Sequence, residues 1–186
     1  MLAIDQVSKT FFPGTVNERR ALVELGLRLD EGDFVTVIGS NGAGKSTLLN
    51  AISGRYTVDS GRIEIDGKLV NRLKEYQRAK FLGRVFQDPM AGTAPSLTIE
   101  QNLALASRRG QTRGLGRSLS RGQREGFREH LATLELGLEN RLTAKVGLLS
   151  GGQRQALSLL MAGFTKPRIL LLDEHSPRSL RFTVRR

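Results

Sequence analysis

The stretch GSNGAGKST, at residues 39–47, gives the strongest indication of the fold of this chain. It matches the pattern G-x-x-x-x-G-K-[ST] of a loop that binds nucleotide phosphates. The apolar, β-branched residues 34–38 before it predict a strand buried on both faces, and residues 46–53 after it predict a helix ending near Gly54. A strand, this loop and a helix in that order indicate phosphate binding rather than a plain glycine-rich turn.

Each part of this phosphate loop has an expected role. The glycines let the backbone bend and turn successive N–H groups towards the phosphates, at the positive end of a helix dipole. We expect Lys45 to reach the β- and γ-phosphates and the hydroxyl of Ser46 to bind Mg²⁺. The candidate nucleotide-binding residues are Gly39, Ser40, Asn41, Gly42, Ala43, Gly44, Lys45, Ser46 and Thr47.

A pair of acids at 173–174 is the matching second element. The run Ile169-Leu170-Leu171-Leu172 predicts a second buried strand, and Asp173 and Glu174 follow at its carboxyl end, where ligands gather in an open α/β sheet. Asp173 is expected to hold the magnesium, and Glu174 to act as general base towards the attacking water. Alone, two acids at a strand end are a weak signal, but the phosphate loop makes the pair specific.

The remaining pattern predicts an α/β domain with an antiparallel part and a helical part. Residues 2–7 and 23–29 alternate apolar and polar side chains, as half-buried antiparallel strands do. From residue 96 to about 138 the pattern is helical, interrupted by the Gly/Arg/Ser-rich residues 110–122, for which we expect a mobile loop. A further helix is expected from Ser150, a residue suited to cap it, to about Phe164.

Composition narrows the class of protein. With 186 residues the chain is expected to form one domain, and no apolar run approaches the ~20 residues of a membrane-spanning helix. The absence of cysteine excludes disulfides and thiolate metal sites. The net charge of +11 is compatible with nucleic acid or an anionic surface, but a solvated basic face is the favoured interpretation. Without a secretory signal pattern, we expect a cytosolic protein unless a partner holds it at a membrane.

A second phrase, Leu149-Ser150-Gly151-Gly152-Gln153, is the signature sequence of ABC-type ATPases. From residue 2 to about 175 the chain resembles the ATP-binding subunits of ABC transporters, and most closely those of bacterial importers for small solutes. The resemblance implies that Phe11 stacks on adenine, with Phe12 as the alternative. It also implies that Gln87, in Val85-Phe86-Gln87-Asp88-Pro89, approaches the magnesium and couples the site to a membrane partner.

The resemblance further implies a P-loop NTPase fold of ABC type, with a mixed sheet around the phosphate loop and a helical signature subdomain at about 89–160. In such ATPases, the signature residues of one copy close over the ATP held by a second, head-to-tail copy. Those residues are Ser150, Gly151, Gly152 and Gln153 here. The implied cofactors are ATP and Mg²⁺. The implied partners are membrane permease subunits and a solute-binding protein, at the cytoplasmic face of the inner membrane.

After residue 175 the sequence departs from the family pattern. Residues 176–186 contain four arginines and no apolar periodicity, and we expect a disordered basic tail, the later strands of the family fold being absent. Either a shifted reading frame or a genuine short form would explain this departure. We expect intact ATP binding with slow hydrolysis. Two alternatives stay open: a non-transport ABC ATPase acting on nucleic acid or ribosomes through its arginine-rich loop, and an inactive fragment.

Overall fold

The computed structural model describes residues 1–88, 90–111 and 119–173, and the backbone of residues 179–184. The strands in these ranges are β1 (Leu2–Phe11), β2 (Arg19–Leu29), β3 (Phe34–Ile38), β4 (Ser60–Ile65), β5 (Lys68–Leu69), β6 (Leu82–Val85), β7 (Ile169–Leu172) and β8 (Ser179–Val184). The helices are α1 (Lys45–Ser53), α2 (Glu75–Arg78), α3 (Ile99–Ser107), α4 (Arg121–Ala132) and α5 (Gly151–Gly163). Short 3-10 turns occur at Leu138–Asn140 and Val146–Leu148.

Two sheets enclose the first hydrophobic core. Strands β2, β1, β4 and β5 form an antiparallel sheet in that order, which confirms the alternation predicted for residues 2–7 and 23–29. The second sheet has the order β3-β8-β7-β6, with β6 parallel to β7. The core between them is built around α1, whose Leu48, Leu49 and Ile52 are buried together with Ile169 and Leu171 of β7.

The prediction that β3 is buried on both faces is wrong. Phe34 is 58% exposed and Ile38 is 74% exposed, whereas Val35 and Val37 are partly buried against the core. Successive side chains of a strand point to opposite faces, so only the alternate valines reach α1 and the core around it. An apolar run therefore predicts the strand here but not which of its faces is covered.

Strand β8 lies where the sequence predicts a disordered tail. Its backbone pairs antiparallel with both β3 and β7, with Ser179 opposite Ile38 and Arg181 opposite Leu172. The facing main-chain groups of β3 and β7 supply hydrogen-bond partners on both sides, and the segment contains the strand-forming residues Phe, Thr and Val. The rest of the predicted tail lies outside the described residues.

A second core lies in the helical part. It is formed by buried side chains of α3, α4 and α5, among them Leu103, Leu131 and Leu157, which confirms the helical pattern predicted after residue 96. Most of the predicted loop at 110–122 lies in residues 112–118, outside the described residues. None of the helices in the described ranges is long and apolar enough to cross a bilayer.

Candidate nucleotide-binding site

The phosphate loop runs from the end of β3 into α1. Ser40, Asn41, Gly42, Ala43 and Ser46 are exposed, so the mouth of the loop is open to a ligand. The α1 N-cap is Gly44, which has no side chain to hydrogen-bond the first N–H groups of the helix. Those N–H groups and the positive end of the helix dipole are the features that bind phosphate at a helix N-terminus.

Lys45 lies across the loop rather than out in solvent. Its Nζ donates to the carbonyl oxygens of Gly39 at 2.5 Å and Ser40 at 2.8 Å. These two bonds hold the ammonium group at the mouth of the loop, with a third N–H direction left for a ligand, since an ammonium group has three donors. Thr47 follows within α1 and is partly buried.

The loop lies against the backbone of β2 at Gly44. This residue has φ +91°, and a Cβ there would lie 2.3 Å from the carbonyl oxygen of Ala21. A residue with a side chain would be strained by the positive φ and would collide with that carbonyl. Gly44 is therefore required both by the shape of the loop and by its close approach to β2.

Arg19 is a loop contact that the sequence did not reveal. It lies at the start of β2, opposite Phe11 in the β1–β2 register, and its Nη2 donates to the carbonyl oxygen of Gly42 at 2.5 Å. The guanidinium thus connects the strand end that carries the predicted adenine-stacking residue with the loop that carries the predicted phosphate ligands. No motif includes this position, because the contact depends on strand pairing.

The strand end that carries Phe11 is fixed by Asp59. Its carboxylate accepts a bond from Lys9 Nζ at 2.7 Å and another from the backbone N–H of Thr10 at 2.6 Å. The hydrogen bond from Lys9 is the largest cause of the lowered pKa of Asp59. These contacts hold the last residues of β1 in place next to the phosphate loop.

The two candidate adenine-stacking residues have different surroundings. Phe11 is partly buried and meets the ring of Tyr56 edge-on, with centroids 5.3 Å apart and an interplanar angle of 79°. Phe12 is 67% exposed, with φ +51°. The ammonium group of Lys9 also lies over the Phe11 ring, with Nζ 5.7 Å from the ring centroid.

Asp173 directly follows β7, and its N–H donates to the carbonyl of Val85 at 3.1 Å. Its carboxylate is 15% exposed and forms an ion pair with Arg84 of β6, with 3.5 Å between Oδ2 and Nη2. Gln87 follows β6 and is exposed. Glu174, the predicted general base, lies outside the described residues. Asp173 and the Gln87 segment, residues 86–88, thus lie at the same end of two adjacent parallel strands.

The donor set fits a magnesium ion. Ser46, Asp173 and Gln87 supply hydroxyl, carboxylate and amide oxygens, the hard ligands that Mg²⁺ prefers. One carboxylate suffices, because Mg²⁺ is commonly held by one or two carboxylates together with the phosphates of the nucleotide.

The signature residues form the N-terminus of α5 in the helical part. Ser150 is the N-cap: its Oγ accepts from the N–H of Gln153 at 3.3 Å, and the Gln153 side chain accepts from the Ser150 N–H at 3.2 Å. This confirms the predicted cap. Gly151 and Gly152 are exposed, and a Cβ on either would meet no atom within 4 Å. The first turn of α5 therefore presents bare backbone to an approaching group.

Arg154 supports this helix start and was not singled out from the sequence. Its guanidinium donates to the carbonyl oxygens of Val146, Gly147 and Leu149, at 3.4, 3.2 and 2.9 Å. These carbonyls belong to the 3-10 turn and the residue that directly precede Ser150. The arginine thus fixes the approach of the chain to the signature residues.

Comparisons with known proteins agree with this geometry. The family model for ABC transporters matches residues 22–176. The chain is 45% identical over 177 residues to the tyrosine transport ATP-binding protein of Clostridioides difficile (strain R20291), covering 95% of this chain and 70% of that one. It is 36% identical over 180 residues to the ABC transporter ATP-binding protein YxdL of Bacillus subtilis (strain 168), covering 94% of this chain and 65% of that one.

Among solved structures, the fold resembles the dimeric post-hydrolysis state of the ATP-binding cassette MJ0796 bound to ADP and Pi. The TM-score is 0.77 with 31% identity, over 92% of this chain and 73% of that chain. The similarity therefore covers nearly all of this chain but about three quarters or less of the length of these relatives.

Proposed function

This chain belongs to the ABC transporter family, and on that premise we propose that it binds Mg²⁺–ATP in the phosphate loop and hydrolyses it as one half of a transport-coupled dimer. Membership of the family makes it an ATPase domain of an ATP-driven transporter subunit. The observation that carries the residue assignment is the open loop 39–47, with Lys45 held across its mouth beside the α1 N-terminus.

The binding roles follow from the contacts in this loop. The backbone N–H groups around Gly42 and Gly44 and the ammonium group of Lys45 would bind the phosphates, and Phe11 would stack on the adenine. When bound, Mg²⁺ would neutralise charge on the β- and γ-phosphates, held by Ser46, Asp173 and Gln87. This set of hard oxygen ligands is what supports magnesium as the metal.

Hydrolysis would need a proton acceptor beside the γ-phosphate. Glu174 follows Asp173 directly in sequence, and we assign it the general-base role, accepting a proton from the attacking water. Lys45 would stabilise the charge on the transferred phosphoryl group, and the loop N–H groups would hold that group in line with the water.

A second copy is part of this proposal. Ser150, Gly151, Gly152 and Gln153 form an exposed helix N-terminus in the helical part, separate from the core that supports the phosphate loop. They would bind the γ-phosphate of ATP held by the partner copy. The dimeric state named for the MJ0796 cassette supports this arrangement.

The membrane partners would contact the face beside the Gln87 segment. A cleft of about 890 Å³ opens between α2, α3 and residues 91–94, a few positions after Gln87, with Tyr76 70% exposed and Leu105 51% exposed at its sides. Apolar side chains at an open cleft suit a protein partner. We propose permease subunits in this cleft, a solute-binding protein on their far side, and a peripheral position at the cytoplasmic face of the inner membrane.

Binding of a fluorescent ATP analogue to the purified chain tests the proposal. We expect saturable binding that strengthens with Mg²⁺ and is lost in Lys45→Ala. Sedimentation of Glu174→Gln with ATP should give a dimer that Ser150→Phe prevents, because a bulky side chain at the bare α5 N-terminus would block the partner's nucleotide. Binding that survives Lys45→Ala would contradict the site assignment, and a monomer under all conditions would contradict the dimer.

A further inference from the structure

Arg84 is a largely buried arginine that no motif includes. It lies in β6, opposite Leu171 of β7 in the parallel register, and its side chain is 11% exposed. Buried arginines are rare without partners, because moving a guanidinium out of water is costly. The partners of Arg84 lie in α1, directly after β7 and directly after β6, and each of these three segments carries a residue proposed here to bind magnesium.

The first partner is α1, the helix that begins at the phosphate loop. Nη1 of Arg84 donates to Asn50 Oδ1 at 2.8 Å and to Ser53 Oγ at 3.3 Å. Asn50 lies four positions after Ser46 in this helix and therefore on the same face, one turn away. A contact at Asn50 fixes the rotation of α1, and so the direction in which the Ser46 hydroxyl points.

The second partner is Asp173. Nη2 of the same guanidinium lies 3.5 Å from its Oδ2, and the Asp173 side chain is only 15% exposed. At this burial the attraction between the two charges is much stronger than at the surface. The third partner is the Gln87 segment, because the guanidinium stacks 4.7 Å from the ring centroid of Phe86.

Stability alone does not explain this arrangement. In the described part of the chain, Nε of Arg84 is buried and has no hydrogen-bond partner, which lowers stability. An apolar side chain of similar length would avoid that cost. What the guanidinium does provide is a planar fork with donors in fixed directions, here joining α1 to Asp173.

We propose that Arg84 is a positioning residue that joins α1, Asp173 and the Gln87 segment, and thereby sets the affinity of the ATP site for Mg²⁺. The inference rests on the proposed function. Arg84 does not touch the nucleotide or the metal; it holds the residues that do. A shift of the Gln87 segment would reach Asp173 through the same side chain.

The test is the Mg²⁺ dependence of nucleotide binding. The fluorescent ATP analogue is titrated onto wild type and Arg84→Met at a series of Mg²⁺ concentrations and in EDTA. Loss of a residue that orients metal ligands weakens metal binding by roughly 10–100-fold. We expect Arg84→Met to raise the half-saturating Mg²⁺ concentration at least about tenfold, while affinity in EDTA stays unchanged. Arg84→Lys keeps the positive charge but loses the planar guanidinium, so its half-saturating Mg²⁺ concentration should lie between those of wild type and Arg84→Met.

Arg78→Lys is the matched control. Arg78 is also buried and also donates to α1, at the carbonyls of Ala51 and Ile52, but it has no contact with a proposed magnesium ligand in the described residues. The Arg78→Lys substitution should lower the melting temperature and leave the Mg²⁺ dependence of nucleotide binding unchanged. If Arg84→Met does not fold, Arg84→Lys carries the test.

The outcomes separate the two proposals. An unchanged or lowered Mg²⁺ requirement in Arg84→Met, or an equal rise in Arg78→Lys, overturns the positioning role. Wild-type protein that binds no nucleotide overturns the proposed function itself. A raised Mg²⁺ requirement confined to the Arg84 variants supports both.

Discussion

Replacing Gly44 with alanine would drive a methyl group into the backbone of β2. Gly44 has φ +91°, and the added Cβ would lie 2.3 Å from the Ala21 carbonyl oxygen. That separation is far inside the normal contact distance, and the obstacle is backbone rather than a flexible side chain. Either the phosphate loop or β2 must move.

The magnitude follows from two separate costs. A non-glycine residue in the left-handed region costs about 1–2 kcal/mol. Forcing extra volume into a packed site costs typically about 1–3 kcal/mol more. Gly44→Ala should therefore lower the free energy of unfolding by about 2–5 kcal/mol. A displaced loop also misaligns its N–H donors, so ATP affinity should fall roughly tenfold or more, equivalent to about 1.4 kcal/mol.

Gly67→Ala is the control that isolates the backbone cost. Gly67 lies in the exposed turn between β4 and β5 with φ +71°, and a Cβ there would meet no atom within 4 Å. The free energy of unfolding of Gly67→Ala should fall only by the cost of the left-handed conformation, about 1–2 kcal/mol, and its ATP affinity should not change. Urea unfolding followed by circular dichroism suits a chain with two tyrosines and no tryptophan. Equal losses of stability in the two variants, or unchanged ATP binding in Gly44→Ala, would refute this reasoning.

Three further changes have expected outcomes. Ser150→Ala removes the α5 N-cap and should cost about 1 kcal/mol in urea unfolding, whereas Ser150→Thr should restore most of it; a neutral alanine variant would show that the cap contributes nothing. Arg78→Met removes the guanidinium that donates to four backbone carbonyl oxygens and should lower stability by about 3 kcal/mol or more by calorimetry; an unchanged melting temperature would rule this out. Because the hydrogen bond from Lys9 lowers the pKa of Asp59, the stability it contributes is present above pH ~4 and is lost as pH falls through the lowered pKa. Lys9→Met should raise the pKa of Asp59 in an NMR titration and make stability less sensitive to acid; an unshifted titration would argue against the pair.

Local sequence signals were sufficient for the elements next to the site. The helix predicted from residue 46 to near Gly54 is α1, and Gly54 does take the left-handed conformation, φ +84°, that ends a helix. The capping pair Ser150 and Gln153 likewise acts between residues three positions apart. Signals of this kind depend only on residues a few positions apart, so they can be identified from a single sequence.

Contacts between distant segments were not predictable in the same way. Arg19, Arg84 and Asp59 contact the loop, the proposed magnesium ligand Asp173 and the end of β1, yet each looks like an ordinary polar surface residue in the sequence. Their roles depend on strand pairing that brings together positions tens of residues apart. Part of the arginine excess is also paired: Arg124 with the buried Glu100, and Arg128 with the exposed Glu125.

The position of β8 has a consequence for how the chain folds. Strand β8 is near β7 in sequence, but Ser179 and its partner Ile38 in β3 are about 140 residues apart. Pairing over such a distance is slow, because the entropy cost of closing the long loop comes before any stabilising contact forms. The local β7–β8 pair should therefore form first, and β3 should pair with β8 later. A nucleotide bound with Mg²⁺ to both the loop after β3 and the carboxylate after β7 would then favour the completed sheet over the unfolded chain.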